Sequence, residues 1–251
     1  MEERLRKRLA ALARRFETAD FLRGDPSFFM HGAHGPADAE ATAFTASTLA
    51  FGSRKAFMPK IAEIVRLAGG DVDSWLRHRA FEKDFPAGSD ECFYRFYTRG
   101  SMNAFFARYA DILESHGTLG QLVERECGGN ARMAVETICR NFRGAGGLVP
   151  QDAKSACKRV CMFLRWMVRD GSPVDLGLWS GFIDRATLPV PLDTHVIRQA
   201  RLLGLLPERG SVSMSAAVKL SGSLAEAFPG DPCRGDFALF GLGASGGGTE
   251  G

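Results

Sequence analysis

Apolar residues along this chain recur three or four positions apart, the spacing of an α-helix, and hardly ever alternate with polar residues as they do in a strand. Near the N-terminus, Leu5, Leu9, Leu12 and Phe16 follow this spacing and predict a first helix. Capping residues, glycines and prolines divide the rest of the chain. The predicted helices cover residues 2–22, 38–51, 53–67, 71–79, 90–98, 102–115, 118–126, 130–142, 151–169, 194–204, 212–227 and 234–241. The pattern therefore predicts an all-α protein.

The segments differ in what they indicate about the core. Asp38–Phe51 is apolar on most faces of its helix, so we expect it at the centre of the protein. Phe28–Pro36 is rich in Gly, His and Pro and predicts a loop. The glycine-rich break Arg143–Pro150 marks either the floor of a cleft between two helical lobes or an ordinary loop. We predict one two-lobed helical domain with a central cleft over residues 1–242, and a disordered Gly-rich tail over 243–251.

Composition and charge narrow the class of protein without assigning a function. Of the 251 residues, 45% are apolar and 24% are charged, and the net charge of +3 means that any basic face must be local. No run approaches the roughly 18 apolar residues of a membrane span. The charged N-terminal helix also lacks the apolar centre of a secretory signal. We therefore expect a cytoplasmic protein, nucleoid-associated if it binds DNA, with no membrane partner.

The cysteine and histidine positions do not form the pattern of a disulfide framework or of a tetrahedral metal site. The six cysteines are scattered over the chain, which is not typical of a disulfide framework. Cys157 and Cys161 lie four residues apart, but no second Cys or His pair completes a tetrahedral metal site, so we interpret them as core residues. His31 and His34, in a loop near two aspartates, leave a metal hydrolase as a weaker alternative. We expect no bound metal and no other cofactor.

The segment Gln151–Asp170 carries the clearest concentration of positive charge. At 100° per residue, Lys154, Lys158, Arg165 and Arg169 fall within a stripe about 60° wide on one helix. The stripe is either an ordinary solvated surface or a surface that faces phosphates. Because like charges disfavour the charged form of an amine, a lysine within the stripe is a candidate nucleophile, with Lys158 first and Lys154 second.

The segment Leu188–Leu206 contains a candidate acidic residue. Pro189 and Pro191 hold the approach extended, and Asp193 then takes the N-cap position of a helix that Thr194 opens. A carboxylate at that position is stabilised as the anion by free backbone N–H groups. By itself, this pattern predicts no more than a helix cap.

The same stretch, VPLDTHVIRQARLLGL, resembles the pattern around the catalytic aspartate of the helix-hairpin-helix DNA glycosylases, the endonuclease III superfamily. The chain more closely resembles a family of uncharacterised bacterial proteins thought to be distant relatives of these enzymes. Four landmarks carry that second resemblance: Ser155–Arg169, Val174–Trp179, Leu192–Val196 and Asp236–Gly243. The resemblance implies a two-lobed, helix-hairpin-helix glycosylase-like fold.

The resemblance also implies an activity, namely excision of a damaged base in DNA repair, with DNA as the partner, duplex or single-stranded, and the protein a monomer. Asp193 would stabilise the positive sugar that forms as the base leaves, and Lys158, or Lys154, would form a Schiff base if the enzyme is also an AP lyase. The residues expected to contact DNA are Arg165, Arg169, His195 and Arg198. Phe163, Trp166 and Trp179 either stack on the extruded base or belong to the core.

Three departures from the glycosylase pattern leave alternatives open. The usual L-P-G-x-G-x-K hairpin is missing, and Gly144–Lys158 reads GAGGLVPQDAKSACK instead. Lys158 and Asp193 are 35 residues apart, which is much longer than in endonuclease III. The C-terminal four-cysteine ligand set is absent, so no iron–sulfur cluster is expected. The alternatives are a non-catalytic DNA-binding protein on the same fold and a helical scaffold for a protein partner in which Asp193 is only a cap.

Overall fold

A computed structural model of the protein describes residues 1–244 and is mainly helical, which confirms the all-α class. The α-helices are α1 (Glu3–Phe16), α2 (Pro36–Leu49), α3 (Arg54–Leu67), α4 (Val72–Arg77), α5 (Arg99–His116), α6 (Leu119–Cys127), α7 (Ala131–Asn141), α8 (Lys158–Val168), α9 (Thr194–Leu202), α10 (Met214–Ala225) and α11 (Arg234–Ala244). Short 3₁₀ helices cover Ala19–Leu22, Pro26–Gly32, Ala80–Lys83 and Arg185–Thr187. In the described part of the chain, no helix is both long and apolar enough to cross a bilayer.

The chain forms two compact units. Of the described residues, the terminal unit comprises Met1–Phe21, Gly129–Arg132 and residues 153–244. The central unit comprises Leu22–Gly128 and Met133–Asp152. The glycine-rich break Arg143–Pro150 belongs wholly to the central unit, so it is a loop within that unit.

Helix α2 lies at the centre of the central unit, as its apolar pattern predicts. Every residue from Asp38 to Leu49 is buried, including two acids. Asp38 accepts the backbone N–H of Val72 at the start of α4, at 2.7 Å. Glu40 accepts the N–H groups of Leu119 and Gly120 at the start of α6, at 2.8 and 3.0 Å. Each buried carboxylate is thus satisfied by unpaired N–H groups of another helix, which fixes both helices to α2.

The helix predicted over residues 90–98 is wrong, because this segment forms an antiparallel hairpin of β1 (Cys92–Tyr94) and β2 (Tyr97–Thr98). The chain turns at Arg95, whose φ of 56° is left-handed and incompatible with a helix. The hydroxyl of Tyr97 donates to the carbonyl of Gly147 at 3.0 Å, and the hydroxyl of Tyr94 donates to that of Phe51. Contacts with segments far along the chain therefore override the local helical spacing.

The helix predicted over residues 151–169 is also wrong in its first turns, because α8 begins only at Lys158. Cys157 has a φ of 44°, and Ser155 pairs with Ser213 in an isolated β-bridge. The carbonyl of Lys154 accepts the N–H of Met214 at 3.3 Å. Pairing with the residues before α10 therefore holds this segment extended, and Lys154 is not on the helix of Lys158.

In the terminal unit, α11 packs against both α1 and α9. The approach is close at Gly241, where an added Cβ would come within 2.2 Å of the Phe16 ring. Helix α11 runs to Ala244, two residues into the predicted tail, and the rest of that tail lies outside the described residues. The predicted loop over Phe28–Pro36 is partly wrong, since the Pro26–Gly32 segment is a 3₁₀ helix.

Candidate functional site

The start of α9 holds Asp193 in a fixed orientation. In the extended approach, the Val190 N–H donates to the hydroxyl of Ser221 on α10 at 2.9 Å. Asp193 then caps α9, because its Oδ1 accepts the Val196 N–H at 2.7 Å. The side chain is half-buried, and in residues 1–244 its second oxygen has no hydrogen-bond partner. The predicted cap is confirmed, and one carboxylate oxygen is left to face solvent or a ligand.

Two exposed residues that follow Asp193, namely His195 and Arg198, lie on different faces of α9. His195 is exposed, and its ring lies 6.0 Å from Phe240 of α11, edge to face. Gly243 approaches so closely that an added Cβ would lie 2.8 Å from the His195 Cβ. His195 is therefore supported by α11, whereas Arg198 is exposed on another face of α9.

An open groove of about 760 Å³ runs along that other face of α9. Thr194, Arg198 and Arg201 line it, together with Glu208 and Val212 of the following segment. The Arg201 guanidinium donates to the Gly210 carbonyl at 3.0 Å, which ties the helix to this segment. The groove thus begins at Thr194, the residue after Asp193, and is lined by two arginines and one glutamate.

The two candidate lysines occupy different settings in the terminal unit. Lys158 is half-buried at the first residue of α8, and among the described residues it makes no ion pair. Lys154 is exposed in the extended segment that pairs with the approach to α10. The predicted stripe of four cations is therefore wrong, because only Lys158, Arg165 and Arg169 share a helical segment or its end.

Arg165 and Arg169 correct the sequence prediction most clearly, because neither faces a surface where phosphates could bind. They are 4% and 2% exposed. Arg165 pairs with Asp175 at 3.2 Å and also with Asp236. Buried guanidinium groups need such partners, so these two arginines are structural ion-pair residues in this fold and not contacts to DNA.

Arg169 extends the same buried ion-pair network to α1 and the segment before α11. It pairs with Asp175, with Asp231 at 2.8 Å and with Glu17 at 2.6 Å. Glu17 also accepts from Arg234 at 2.9 Å. The network therefore contains three arginines and four acids. They are Arg165, Arg169 and Arg234, and Glu17, Asp175, Asp231 and Asp236.

Sequence reasoning missed the acids of this network, although a signal was present. Asp175 lies in the landmark Val174–Trp179, and Asp236 opens the landmark Asp236–Gly243. Both are single acids in otherwise apolar stretches, a setting in which a charge is normally buried with a partner. The landmark segments Ser155–Arg169, Val174–Trp179 and Asp236–Gly243 are thus joined by the ion pairs of Arg165 with Asp175 and Asp236.

Asp236, at one end of the network, has a perturbed pKa. Burial raises the pKa of Asp236 from its ordinary value near 3.8 to about 6; Arg165 opposes this shift, and the nearby charge of Asp193 adds to it. Four carboxylates against three guanidinium groups leave one negative charge in excess, and a proton on Asp236 removes it. The electrostatic effect of Asp193 on Asp236 also connects the cap of α9 to the network.

The aromatic residues proposed as stacking partners for a base belong to the core. Phe163 and Trp166 are fully buried and Trp179 is 2% exposed. The Phe163 and Trp179 rings pack edge to face at 5.1 Å. The core alternative is confirmed for these three residues, as it is for the buried Cys157 and Cys161.

The aspartates near His31 and His34 are engaged in local structure. Asp25 caps the Pro26–Gly32 helix through the Ser27 N–H at 3.1 Å, and Asp38 accepts the Val72 N–H at the start of α4. Among residues 1–244 there is no group of three or more His, Cys, Asp or Glu side chains that could hold a metal ion.

Together these features define a mainly helical protein with a fixed, half-buried carboxylate at the start of a helix whose exposed face lines a groove with two arginines. The chain belongs to the family described as "Protein of unknown function (DUF2400)", whose model matches residues 25–245. The match includes Asp193, both lysines and every member of the ion-pair network except Glu17. No curated protein and no solved structure matches the chain.

Proposed function

We propose that the protein is a DNA glycosylase that removes a damaged base, with Asp193 as the catalytic carboxylate. The observation that carries the proposal is the geometry of Asp193: one oxygen is fixed by the Val196 N–H, and the other has no hydrogen-bond partner in residues 1–244. The α9 groove begins at the next residue, Thr194. The resemblance of Leu188–Leu206 to the catalytic segment of helix-hairpin-helix glycosylases supports the same role.

The chemistry needs a fixed negative charge near the sugar. As the glycosidic bond breaks, its electron pair leaves with the base and positive charge develops at C1′. A carboxylate that is already oriented stabilises this charge without reorganisation. Water then adds to C1′, and the proton that it loses is balanced by the proton that the departing base takes up, which completes hydrolysis. The target nucleotide must leave the base stack to reach such a site.

The α9 groove supplies cations on the same helix that Asp193 caps. Arg198 and Arg201 replace Arg165 and Arg169 as the proposed phosphate contacts, because they line an open surface. Phosphate contacts of this kind position DNA and make binding depend on salt. We keep His195 as a proposed DNA contact at the exposed end of the same helix.

Lyase activity would require an amine nucleophile, for which Lys158 remains the first candidate and Lys154 the second. Arg165 and Arg169 are neutralised by acids, and Lys154 is not on α8, so the expected crowding of cations around Lys158 does not support its choice. What favours Lys158 is its half-buried position with no ion pair among the described residues.

The test is base release from oligonucleotides that carry a panel of oxidised, alkylated or deaminated bases, with borohydride trapping at abasic sites. Asp193→Asn keeps the helix cap, so it should fold normally yet lose base release by at least about 100-fold, the scale on which fixed charges act in catalysis. Asp184→Asn changes another capping aspartate of the terminal unit and serves as the matched control. Lys158→Gln and Lys154→Gln should separate trapping from base release.

Two results would contradict the proposal. An Asp193→Asn protein as active as the wild type would remove the assigned role. Salt-dependent DNA binding with no base release across the panel would instead indicate a non-catalytic DNA-binding protein on this fold.

A further inference from the structure

The hairpin of the central unit presents an aromatic side chain to solvent. Phe96, at the turn between β1 and β2, is 69% exposed, the highest value for a large apolar side chain in the described chain. Its ring lies 5.5 Å from Phe51 and 4.6 Å from Tyr97, at interplanar angles of 38° and 58°. We call Phe51, Tyr94, Arg95, Phe96 and Tyr97 the aromatic tip.

The aromatic tip is held rigidly from below. Tyr94 and Tyr97 are each 5% exposed, and their rings lie 4.9 and 5.6 Å from Phe51. Both tyrosine hydroxyls donate to backbone carbonyls, those of Phe51 and Gly147. The phenol groups therefore fix the hairpin, so the backbone that carries Phe96 is ordered before a ligand binds, which lowers the entropic cost of binding.

Arg95 is the charged residue of the aromatic tip, and its backbone is strained. Its φ of 56° is unusual for a residue with a side chain, and strained positions of this kind concentrate at binding sites. Its guanidinium lies 5.6 Å from the centre of the Phe51 ring. Gly52 makes room for it, because a Cβ there would lie 2.7 Å from the Arg95 Nη1.

The charge of the surrounding sequence indicates the occupant. The segments Phe51–Lys55 and Tyr94–Tyr97 contain the cations Arg54, Lys55 and Arg95 and no acid, although Arg54 lies 3.6 Å from Asp25. A flat, exposed ring next to cations matches a ligand with planar faces and a negative backbone, which is single-stranded nucleic acid. Paired bases of a regular duplex do not offer such faces.

We propose that the aromatic tip is a stacking platform for an unpaired base of single-stranded nucleic acid. Phe96 stacks on the base, while Arg95 lies within reach of the adjacent phosphate. The platform belongs to the central unit and does not depend on Asp193, so it goes beyond the glycosylase proposal and can be tested separately.

The test is the fluorescence anisotropy of a labelled 12-nucleotide oligothymidine titrated with the full-length protein at low salt. Phe96→Ala should raise Kd by roughly 5- to 150-fold, the range expected for loss of one base–aromatic stack. Phe96→Leu keeps apolar bulk but not the flat face, so it should weaken binding similarly, whereas Phe96→Trp should bind at least as tightly as the wild type. The introduced tryptophan should also be quenched on binding.

Met133→Ala, which truncates another exposed apolar residue of the central unit, is the control and should bind like the wild type. A fully paired duplex should compete poorly. The proposal is overturned if the wild type does not bind oligothymidine, or if Phe96→Ala or Phe96→Leu binds as tightly as the wild type. Asp193→Asn should keep this binding. A wild-type protein that binds oligothymidine through Phe96 but releases no base from the lesion panel would refute only the glycosylase function.

Discussion

Replacing Arg169 by methionine removes the guanidinium at the centre of the ion-pair network while keeping a long apolar side chain in its place. Arg169 is 2% exposed and contacts Asp175, Asp231 and Glu17. Asp175 keeps Arg165 and Glu17 keeps Arg234, but Asp231 loses its ion pair. Breaking a buried ion pair by removing one partner costs about 3–5 kcal/mol. Because two acids keep a second arginine, we expect a loss of about 3 kcal/mol in the free energy of unfolding at pH 7.5.

The loss should depend on pH in a defined direction. Carboxylates left buried without Arg169 have a folded-state pKa raised above the unfolded value, so they favour the folded state only while they are protonated. Stability of the variant relative to the wild type therefore falls as pH rises from about 4 through the raised pKa values, because ordinary carboxyl pKa values lie near 4. We expect a smaller difference at pH 4.5 than at pH 7.5.

Urea denaturation followed by circular dichroism, at both pH values, measures this difference. Arg185→Met is the matched control, because Arg185 pairs with Asp170 at the surface of the same unit, with side chains 45% and 59% exposed. Exposed pairs contribute about 0–1 kcal/mol, so the control should lose little at either pH. A loss for Arg169→Met no larger than that of Arg185→Met, or one that grows as the pH is lowered, would refute this account of the network.

Two further predictions concern the terminal unit. Because the pKa of Asp236 is raised to about 6, the protonated group stabilises the wild type at pH 4, and this contribution is lost as the pH rises to about 6. The asparagine of the variant does not titrate. The unfolding free energy of Asp236→Asn minus that of the wild type should therefore rise by about 2–3 kcal/mol over this window. A pH-independent difference in urea denaturation would contradict it. Gly241→Ala should destabilise the protein by about 1–3 kcal/mol, because its Cβ would lie 2.2 Å from the Phe16 ring, whereas Gly222→Ala on α10 meets no atom within 4 Å and should stabilise it slightly. Equal melting temperatures for the two alanine variants would show that the contact between α1 and α11 is not tight.

Local pattern was enough to predict most helices, and it failed where distant segments supply the decisive bonds. The burial of α2 follows from its apolar faces, and the Asp193 cap follows from a carboxylate next to free N–H groups in the same segment. The prediction of a helix over residues 90–98 fails because the local sequence shows neither the left-handed turn at Arg95 nor the hydrogen bonds to Phe51 and Gly147.

The candidate site shows the same division. A helical projection places Arg165 and Arg169 on one side of a helix, but it cannot show acids that lie 71 and 152 residues away at Asp236 and Glu17. Because they pair with these acids, the two arginines that the sequence predicts as DNA contacts lie in the interior of the protein. Lys154 similarly lies outside the predicted helix, because its segment pairs with the residues before α10.

The amino-acid sequence by itself determined the all-α class, the central apolar helix and the capping role of Asp193, because each depends on interactions within a few residues. Only the tertiary structure decided which cations are exposed and which are buried. The free energy of a charged side chain depends on whether solvent or an opposite charge surrounds it, and that environment is assembled from segments far apart in the chain. For this protein, it moves the proposed DNA contacts from Arg165 and Arg169 to Arg198 and Arg201.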